Sequence, residues 1–183
     1  MAFAVSAHAH CPVVVVRGEP VHPGPSRPVV VGVDGSPGSD EALRYGTDVA
    51  AAAHAPLIVV SAYRTLTSEA WAEAYVYLEE QGGPDFDTMA RKSASAGARI
   101  GREAYPGLDI TERVVEGLPA QALVKAADQA GLLVVGSRGH GGFARLMLGS
   151  VSHALIHSAP CPVAIVHGIK ATTEQPGEAP VDT

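Results

Sequence analysis

A short apolar run that ends in glycine most constrains how this chain can fold. Residues 132–135 have the composition of a buried strand, and Gly136 and Gly139 follow them directly. After nine intervening residues, Gly149 precedes a predicted helix with one apolar face over residues 151–156. At such a strand–helix junction, backbone N–H groups and the helix dipole both favour an anion. The junction therefore predicts that the chain binds a phosphate-bearing ligand.

Strand and helix patterns alternate through the rest of the chain. The predicted strands are 29–33, 57–62, 110–115, 132–135 and 162–167, and the predicted helices are 39–53 (with Ser39 as N-cap), 85–104, 117–130 and 151–156. This order predicts an α/β fold with an open five-stranded parallel sheet and helices on both faces. Ligands of such sheets bind beyond the carboxyl ends of the strands, where the strand order reverses. Asp34 and Gly136 both follow predicted strands, so we expect them to share one crevice.

Composition narrows the classes of partner. The net charge of −6 argues against non-specific binding to nucleic acid, and no apolar run approaches the roughly 18 residues that would span a membrane. The first residues lack the positive segment of a signal peptide. The two cysteines, Cys11 and Cys161, do not form a disulfide framework. We therefore expect a cytoplasmic protein without nucleic-acid or membrane partners.

An internal repeat links the two ends of the predicted domain. Residues 9–18 align with residues 159–168 at a constant offset of 150, with six of ten positions identical and both cysteines superposed. The simplest interpretation is that residues 1–18 are a remnant of the last strand of an upstream copy. Residues 19–27, with three prolines, would be its linker. Chance similarity between two Val-rich strands is the alternative.

The repeat predicts an extra N-terminal strand beside the domain, which we place at 28–168. The composition of residues 169–183 predicts a disordered tail.

The pattern Gly136-x2-Gly139-x9-Gly149-Ser150 resembles the ATP-binding signature of the universal stress protein family. Further resemblance is carried, in order, by Val33-Asp34-Gly35-Ser36 with Ser39 and Ala42-Leu43, Glu116-Gly117-x-Pro119, Val134-Val135-Gly136-Ser137, Ser150-Val151-Ser152 and Ala159-x-Cys161-Pro162-Val163. It covers residues 27–168. Gly131 departs from the family pattern, which usually has an acidic residue before the fourth strand.

The resemblance implies a Rossmann-like adenine-nucleotide-binding fold and ATP, with or without Mg²⁺, as ligand. The implied phosphate-binding residues are Gly136, Ser137, Arg138, Gly139, His140, Gly149, Ser150 and Val151. Asp34, Gly35 and Ser36 would lie beside the ribose or the metal ion, and Leu57 and Val135 beside the adenine. From the residues themselves, Gly136 and Gly139 should adopt positive φ and let phosphate approach the backbone, with His140 and Arg145 as nearby cations.

Plainer alternatives accompany these assignments. The glycines could serve only the turn, Asp34 could cap the turn that follows it, and Leu57 and Val135 could be ordinary core residues.

Catalytic signatures are weak in this sequence. It contains no G-x-x-x-x-G-K-[ST] loop and no G-x-S-x-G elbow, and no second acidic residue is placed for phosphoryl transfer. His153 and His157 are four residues apart on a predicted helix but have no evident third metal ligand. We therefore predict a nucleotide-dependent stress sensor, with no catalytic residues and no protein metal cage.

Three alternatives stay open. By resemblance, slow ATP hydrolysis or self-phosphorylation could accompany binding. The domain could instead be a nucleotide-free interaction module, or an ATP-using transferase, which would need an H-x-G-H motif. The resemblance also implies a homodimer formed through the last strand. Residues 12–17 should accordingly pair antiparallel with the edge of that strand, either in the same chain or in a partner. The starts of the two strands would then lie at opposite ends, so Cys11 and Cys161 could not form a disulfide within that pair.

Overall fold

The computed structural model describes residues 2–19, 21–64, 85–139 and 148–168. Its strands are β1 (Val13–Val15), β2 (Val29–Gly32), β3 (Leu57–Tyr63), β4 (Ile110–Glu116), β5 (Leu132–Gly136) and β6 (Val163–Val166). Its helices are α1 (Ala2–His8), α2 (Pro37–Ala52), α3 (Phe86–Ala104), α4 (Pro119–Ala126) and α5 (Ser150–Ser158). Helix α1 was not predicted. The predicted tail and the positions of His140 and Arg145 lie outside the described residues.

The strands form one sheet in the order β1-β6-β5-β2-β3-β4. Strands β2 to β6 are mutually parallel, which confirms the predicted parallel sheet. The chain runs outward from β2 through β3 to β4, then crosses back to β5 and continues to β6. The strand order therefore reverses between β2 and β5, and the carboxyl ends of these neighbours bound the crevice expected from the sequence.

Helices cover both faces of this sheet. On one face, Leu123 of α4 and Leu155 of α5 pack against Val30 of β2. On the other face, Leu43 of α2 packs against Val31 of the same strand. Because successive strand residues point to opposite faces, this alternation is what a two-sided buried strand requires. The predicted α/β architecture is confirmed.

The N-terminal strand β1 lies antiparallel against β6, as predicted. Cys11 is exposed and Cys161 is buried, and both thiols are free. Of the two arrangements expected for the edge of β6, pairing with the N-terminal strand of the same chain or of a partner, the structure shows the first.

Two helix boundaries differ from the predicted ones. Helix α2 begins at Pro37 with Ser36 as its N-cap, not with Ser39, because the Ser36 hydroxyl accepts a bond from Ser39 N at 3.2 Å. Proline is well suited to this first position, since it has no N–H to satisfy. Helix α4 ends at Ala126, not near residue 130, because Ala127 begins a turn that leads into β5.

Gly131, the departure from the family pattern, is explained by the N-terminal segment. A Cβ at this position would collide with the backbone of His22 and Pro23. The Gly131 N–H donates to the carbonyl of Pro28 at 2.9 Å, which ties the entry of β5 to the segment before β2. The segment between β1 and β2 thus packs directly on the domain.

Candidate functional site

A cleft of about 380 Å³ opens at the carboxyl ends of the parallel strands, where the strand order reverses. It is lined by Gly32, Val33, Asp34, Ser39, Val60, Ala62, Pro119, Leu123, Val135, Gly136, Arg138, Gly139, Gly149, Ser150, Val151 and Ser152. Asp34 and Gly136 therefore share one crevice, as predicted.

The turn after β2 holds the Asp34 carboxylate in place. Its Oδ1 accepts bonds from the backbone N–H of Ser36 at 3.0 Å and from the Ser36 hydroxyl at 2.6 Å. Gly35 between them has φ +82°, a conformation that costs glycine little. The turn-capping role considered for Asp34 is thus present. It coexists with exposure to the cleft, because Oδ1 serves the turn while Oδ2 lies against Gly139.

Gly136, which ends β5, and Gly139, in the loop that follows, serve close packing. A Cβ on Gly136 would lie 2.8 Å from the carbonyl oxygen of Gly38, in the first turn of α2. A Cβ on Gly139 would collide with the carboxylate of Asp34. Neither Gly136 nor Gly139 has a left-handed φ, so the expectation of positive φ at these two positions is wrong. What these positions require is the absence of a side chain.

Ser152 braces the same loop from helix α5. Its hydroxyl donates to the carbonyl of Gly136 at 2.7 Å and lies 3.3 Å from the carbonyl of Ser137. Gly149 N donates to the Ser137 carbonyl at 2.7 Å. These bonds turn loop carbonyls toward α5, so the start of the helix and the loop are held as one unit.

Two helices begin at the cleft without a polar side chain at the N-cap. Gly149 caps α5 and Leu118 caps α4, and neither side chain can accept a hydrogen bond. The first N–H groups of a helix have no intrahelical partner, and its dipole is positive there. Ser150 and Val151 of α5 line the cleft, so this end of the cleft suits an anion.

The opposite part of the cleft is apolar. Val60 and Ala62 of β3, Leu123 of α4 and Val135 of β5 line it. Leu57, predicted beside the adenine, is not in the cleft. It pairs with Val29 at the amino end of the parallel sheet and is fully buried, whereas the cleft lies at the carboxyl end. The carboxyl end of β3 is the part of that strand that reaches the site.

Other predicted residues fall into three groups. Arg138 is exposed and lines the cleft together with Gly139, Gly149, Ser150 and Val151. Ser36 and Ser137 are buried beside the cleft. Ser36 positions the carboxylate of Asp34, and Ser137 helps to position the loop through its carbonyl, which lies against Ser152. His140 lies outside the described residues.

The sequence analysis did not assign eight of the lining residues to the site, which are Gly32, Val33, Ser39, Val60, Ala62, Pro119, Leu123 and Ser152. The parallel register alone could have found Val60, since it pairs with Gly32 at the end of β2. The role of Ser152 depends on the path of the loop, for which the sequence carries no periodic signal.

Among the described residues, no group of three or more His, Cys, Asp or Glu side chains could hold a metal ion, and no helix is long and apolar enough to cross a membrane. His153 and His157 are exposed, and their rings meet edge-to-face with centroids 5.2 Å apart.

An open α/β sheet with an apolar cleft and helix N-termini at its switch point defines a nucleotide-binding-like fold. The chain belongs to the Universal stress protein family, whose sequence model matches residues 25–167. It is 36% identical over 160 residues to Universal stress protein Rv2623 of Mycobacterium tuberculosis, a match that covers 86% of this chain and 52% of the relative. The chain thus spans about half the length of the curated relatives it matches.

Solved structures share the fold. A universal stress protein in complex with cAMP is 33% identical, with a TM-score of 0.53, over 80% of this chain and 100% of the other. The Archaeoglobus fulgidus universal stress protein in complex with dAMP is 23% identical, with a TM-score of 0.53, over 76% and 97% of the two chains. The second likeness concerns the fold alone.

Proposed function

We propose that the cleft binds ATP or another adenine nucleotide and that the chain acts as a nucleotide-dependent stress-response sensor. The observation that carries this proposal is the division of one cleft into two chemistries. Its apolar part suits a base, and the N-terminus of α5 suits phosphate. The relative at 33% identity, solved with cAMP, supports the same ligand class.

Each part of the nucleotide would have a distinct place. The phosphates would lie against Ser150, Val151 and the backbone of Gly139. The base would pack between Val135 and the carboxyl end of β3, in place of the Leu57 contact expected from the sequence.

Among the described residues that line the cleft, Asp34 is the one with a carboxylate, and it would lie on the ribose side or beside a metal ion. Mg²⁺ is commonly held by one or two carboxylates together with phosphate oxygens and water. A single, positioned carboxylate facing a phosphate site fits that donor set, whereas it could not form a metal cage alone. When bound, Mg²⁺ would neutralise phosphate charge, while Asp34 would orient it.

Sensing would follow from the location of the phosphate site. Gly139 follows β5 and Ser150 begins α5, and both line the cleft, so a nucleotide bound between them would favour one arrangement of these two elements over others. A partner that reads this surface would then respond to nucleotide. The cytoplasmic location expected from the sequence is part of the same proposal.

A charge substitution at Ser150 tests the site directly. Aspartate near a helix N-terminus stabilises the helix, yet its carboxylate would repel phosphate. We expect Ser150→Asp to weaken ATP affinity at least about tenfold by calorimetry, with the thermal midpoint preserved. Ser150→Asn, which has the same shape without the charge, is the matched control and should retain binding.

Two results would contradict the proposal. If Ser150→Asp and Ser150→Asn both bind ATP as tightly as the unmodified chain does, the phosphates do not lie at the N-terminus of α5. No binding to the unmodified chain would favour the nucleotide-free interaction module. Release of phosphate from the bound ATP at a slow, saturable rate would add weak hydrolysis to the binding function.

A further inference from the structure

A second concavity adjoins the cleft on the face of the sheet that α4 and α5 cover. It has a volume of about 570 Å³ and lies between these two helices, and we call it the α4–α5 groove. Its apolar lining comes from Leu118, Ala120 and Val124 on one side and from Val151 and Ala154 on the other. The groove is therefore large enough for a small-molecule group and suits an apolar one.

The groove and the cleft are continuous. Pro119, Ser150 and Val151 line both of them. Ser150 and Val151 belong to the first turn of α5, which suits phosphate because the N–H groups there have no intrahelical partner. A ligand with phosphate at this point would have the apolar part of the cleft on one side and the groove on the other.

The parallel sheet sets the direction and the length of the groove. Helix α4 follows β4 and α5 follows β5, so both helices begin at the carboxyl edge of the sheet and lead away from the cleft. Along α5 the lining extends from Ser150 to Ser158, a rise of about 12 Å. Lys125 and Ser158 place polar groups at the far end. The groove thus suits an apolar chain of limited length.

Apolar surface in the groove is open to solvent in the single chain. Leu118, at the end next to the cleft, is 42% exposed, and Val124, Val151 and Ala154 are half-buried. Among the described residues that line the groove, none carries a carboxylate, so a phosphate at its mouth meets no repulsion from that side. Covering this surface with an apolar chain is favourable because it removes apolar area from water.

We propose that the chain binds an adenine nucleotide whose phosphate carries a medium-length acyl chain, with the acyl chain in the α4–α5 groove. The inference rests on the proposed function, since the cleft must hold the nucleotide. In an acyl-adenylate the acyl group is joined to the phosphate of AMP. Its base, phosphate and apolar chain follow one another in the same order as the apolar cleft, the N-terminus of α5 and the groove.

Stable analogues of this ligand test the proposal on the unmodified chain. The octanoyl and acetyl derivatives of sulfamoyladenosine have a sulfamate in place of the labile acyl phosphate and differ only in chain length. Each methylene group taken out of water contributes about a fourfold gain in affinity. We expect the octanoyl compound to bind at least about thirtyfold more tightly than the acetyl compound by calorimetry, because several methylene groups would be buried.

The same titrations separate this inference from the function on which it rests. Equal affinities for the two analogues in a chain that binds ATP would overturn the assignment of the groove and leave the nucleotide site standing. If neither ATP nor either analogue binds, the proposed function and this inference both fail.

A pair of glutamine substitutions on α5 locates the acyl chain. Ala154 lines the groove, whereas His157 is exposed on the same helix and lies outside the lining. Ala154→Gln should fill the groove with a longer, polar side chain and remove most of the gain from the octanoyl group, with the affinity for the acetyl compound unchanged. Val124→Gln, on the opposite wall, should act in the same way, and His157→Gln should preserve the gain. A full gain in both groove variants would overturn the proposal.

Discussion

Gly38 and Gly136 bring two backbones into direct contact beside the cleft. A Cβ on Gly136 would lie 2.8 Å from the Gly38 carbonyl oxygen, and a Cβ on Gly38 would lie 2.9 Å from the carbonyl oxygen of Arg138. The first turn of α2 therefore rests on the loop after β5 with no room for a side chain on either part. This contact fixes the separation of Asp34 from the loop, and with it the width of the cleft.

Gly38→Ala should destabilise the fold even though alanine favours helices. Alanine gains up to about 1 kcal/mol over glycine in a helix interior, whereas overpacking against backbone costs about 1–3 kcal/mol. We expect a net loss in the free energy of unfolding measured by urea denaturation. Gly107→Ala, where a Cβ meets nothing within 4 Å, is the control and should be neutral. A stabilised Gly38→Ala chain would show that the contact is not tight.

Ser152→Ala should loosen the loop at its other support. The change removes the donor to the carbonyls of Gly136 and Ser137, and we expect it to cost about 1–2 kcal/mol of stability and to weaken ATP binding. Ser158→Ala, on the same helix, removes an exposed bond to the carbonyl of Ala154 and should change neither quantity. Equal effects of the two variants would refute the bracing role of Ser152.

Asp34 has two separable roles, in the turn and in the cleft. Asp34→Asn keeps an oxygen that can accept from Ser36 but removes the charge, so stability should hold while Mg²⁺-ATP affinity falls by about 1–2 kcal/mol. Asp34→Ala should lower both the stability of the chain and its affinity for Mg²⁺-ATP. Calorimetric titrations with ATP, carried out once with Mg²⁺ and once with EDTA, measure how much of the affinity depends on the metal ion. An unchanged Mg²⁺-ATP affinity in Asp34→Asn would exclude a metal-side role.

The two thiols should differ strongly in reactivity. Burial raises the pKa of the Cys161 thiol to about 11, so it stays protonated near pH 8, whereas Cys11 is exposed. Iodoacetamide at pH 8 should alkylate Cys11 in the folded chain and reach Cys161 only after denaturation, as read by peptide mass spectrometry. Rapid alkylation of Cys161 in the folded chain would show that the edge of the sheet beside β1 opens readily.

Residue patterns predicted the architecture well because buried parallel strands are marked by apolar runs. The five strands and the switch point follow from such runs and from the alternation of elements. The repeat that contains Cys11 and Cys161 predicted the extra strand β1, and the resemblance to the family predicted its antiparallel pairing.

Three features of the structure depend on tertiary packing, and the sequence analysis did not predict them. Leu57 was assigned to the adenine, yet in a parallel sheet the start of β3 lies at the end opposite the cleft. Gly136 was expected to need positive φ, but its requirement comes from Gly38 in a distant element. Gly131 departs from the family pattern because the chain before β2 crosses it. In each case the cause is a residue that no local pattern connects to the position.

The most direct test of the central proposal is identification of what the unmodified chain binds. Small molecules released by denaturing the freshly purified chain would be identified by mass spectrometry, and the nucleotide-free chain would then be titrated with ATP by calorimetry. We predict a co-purified adenine nucleotide, or saturable ATP binding in the micromolar range with one nucleotide per chain. Absence of released nucleotide together with no heat of binding at millimolar ATP would contradict the nucleotide-sensor account.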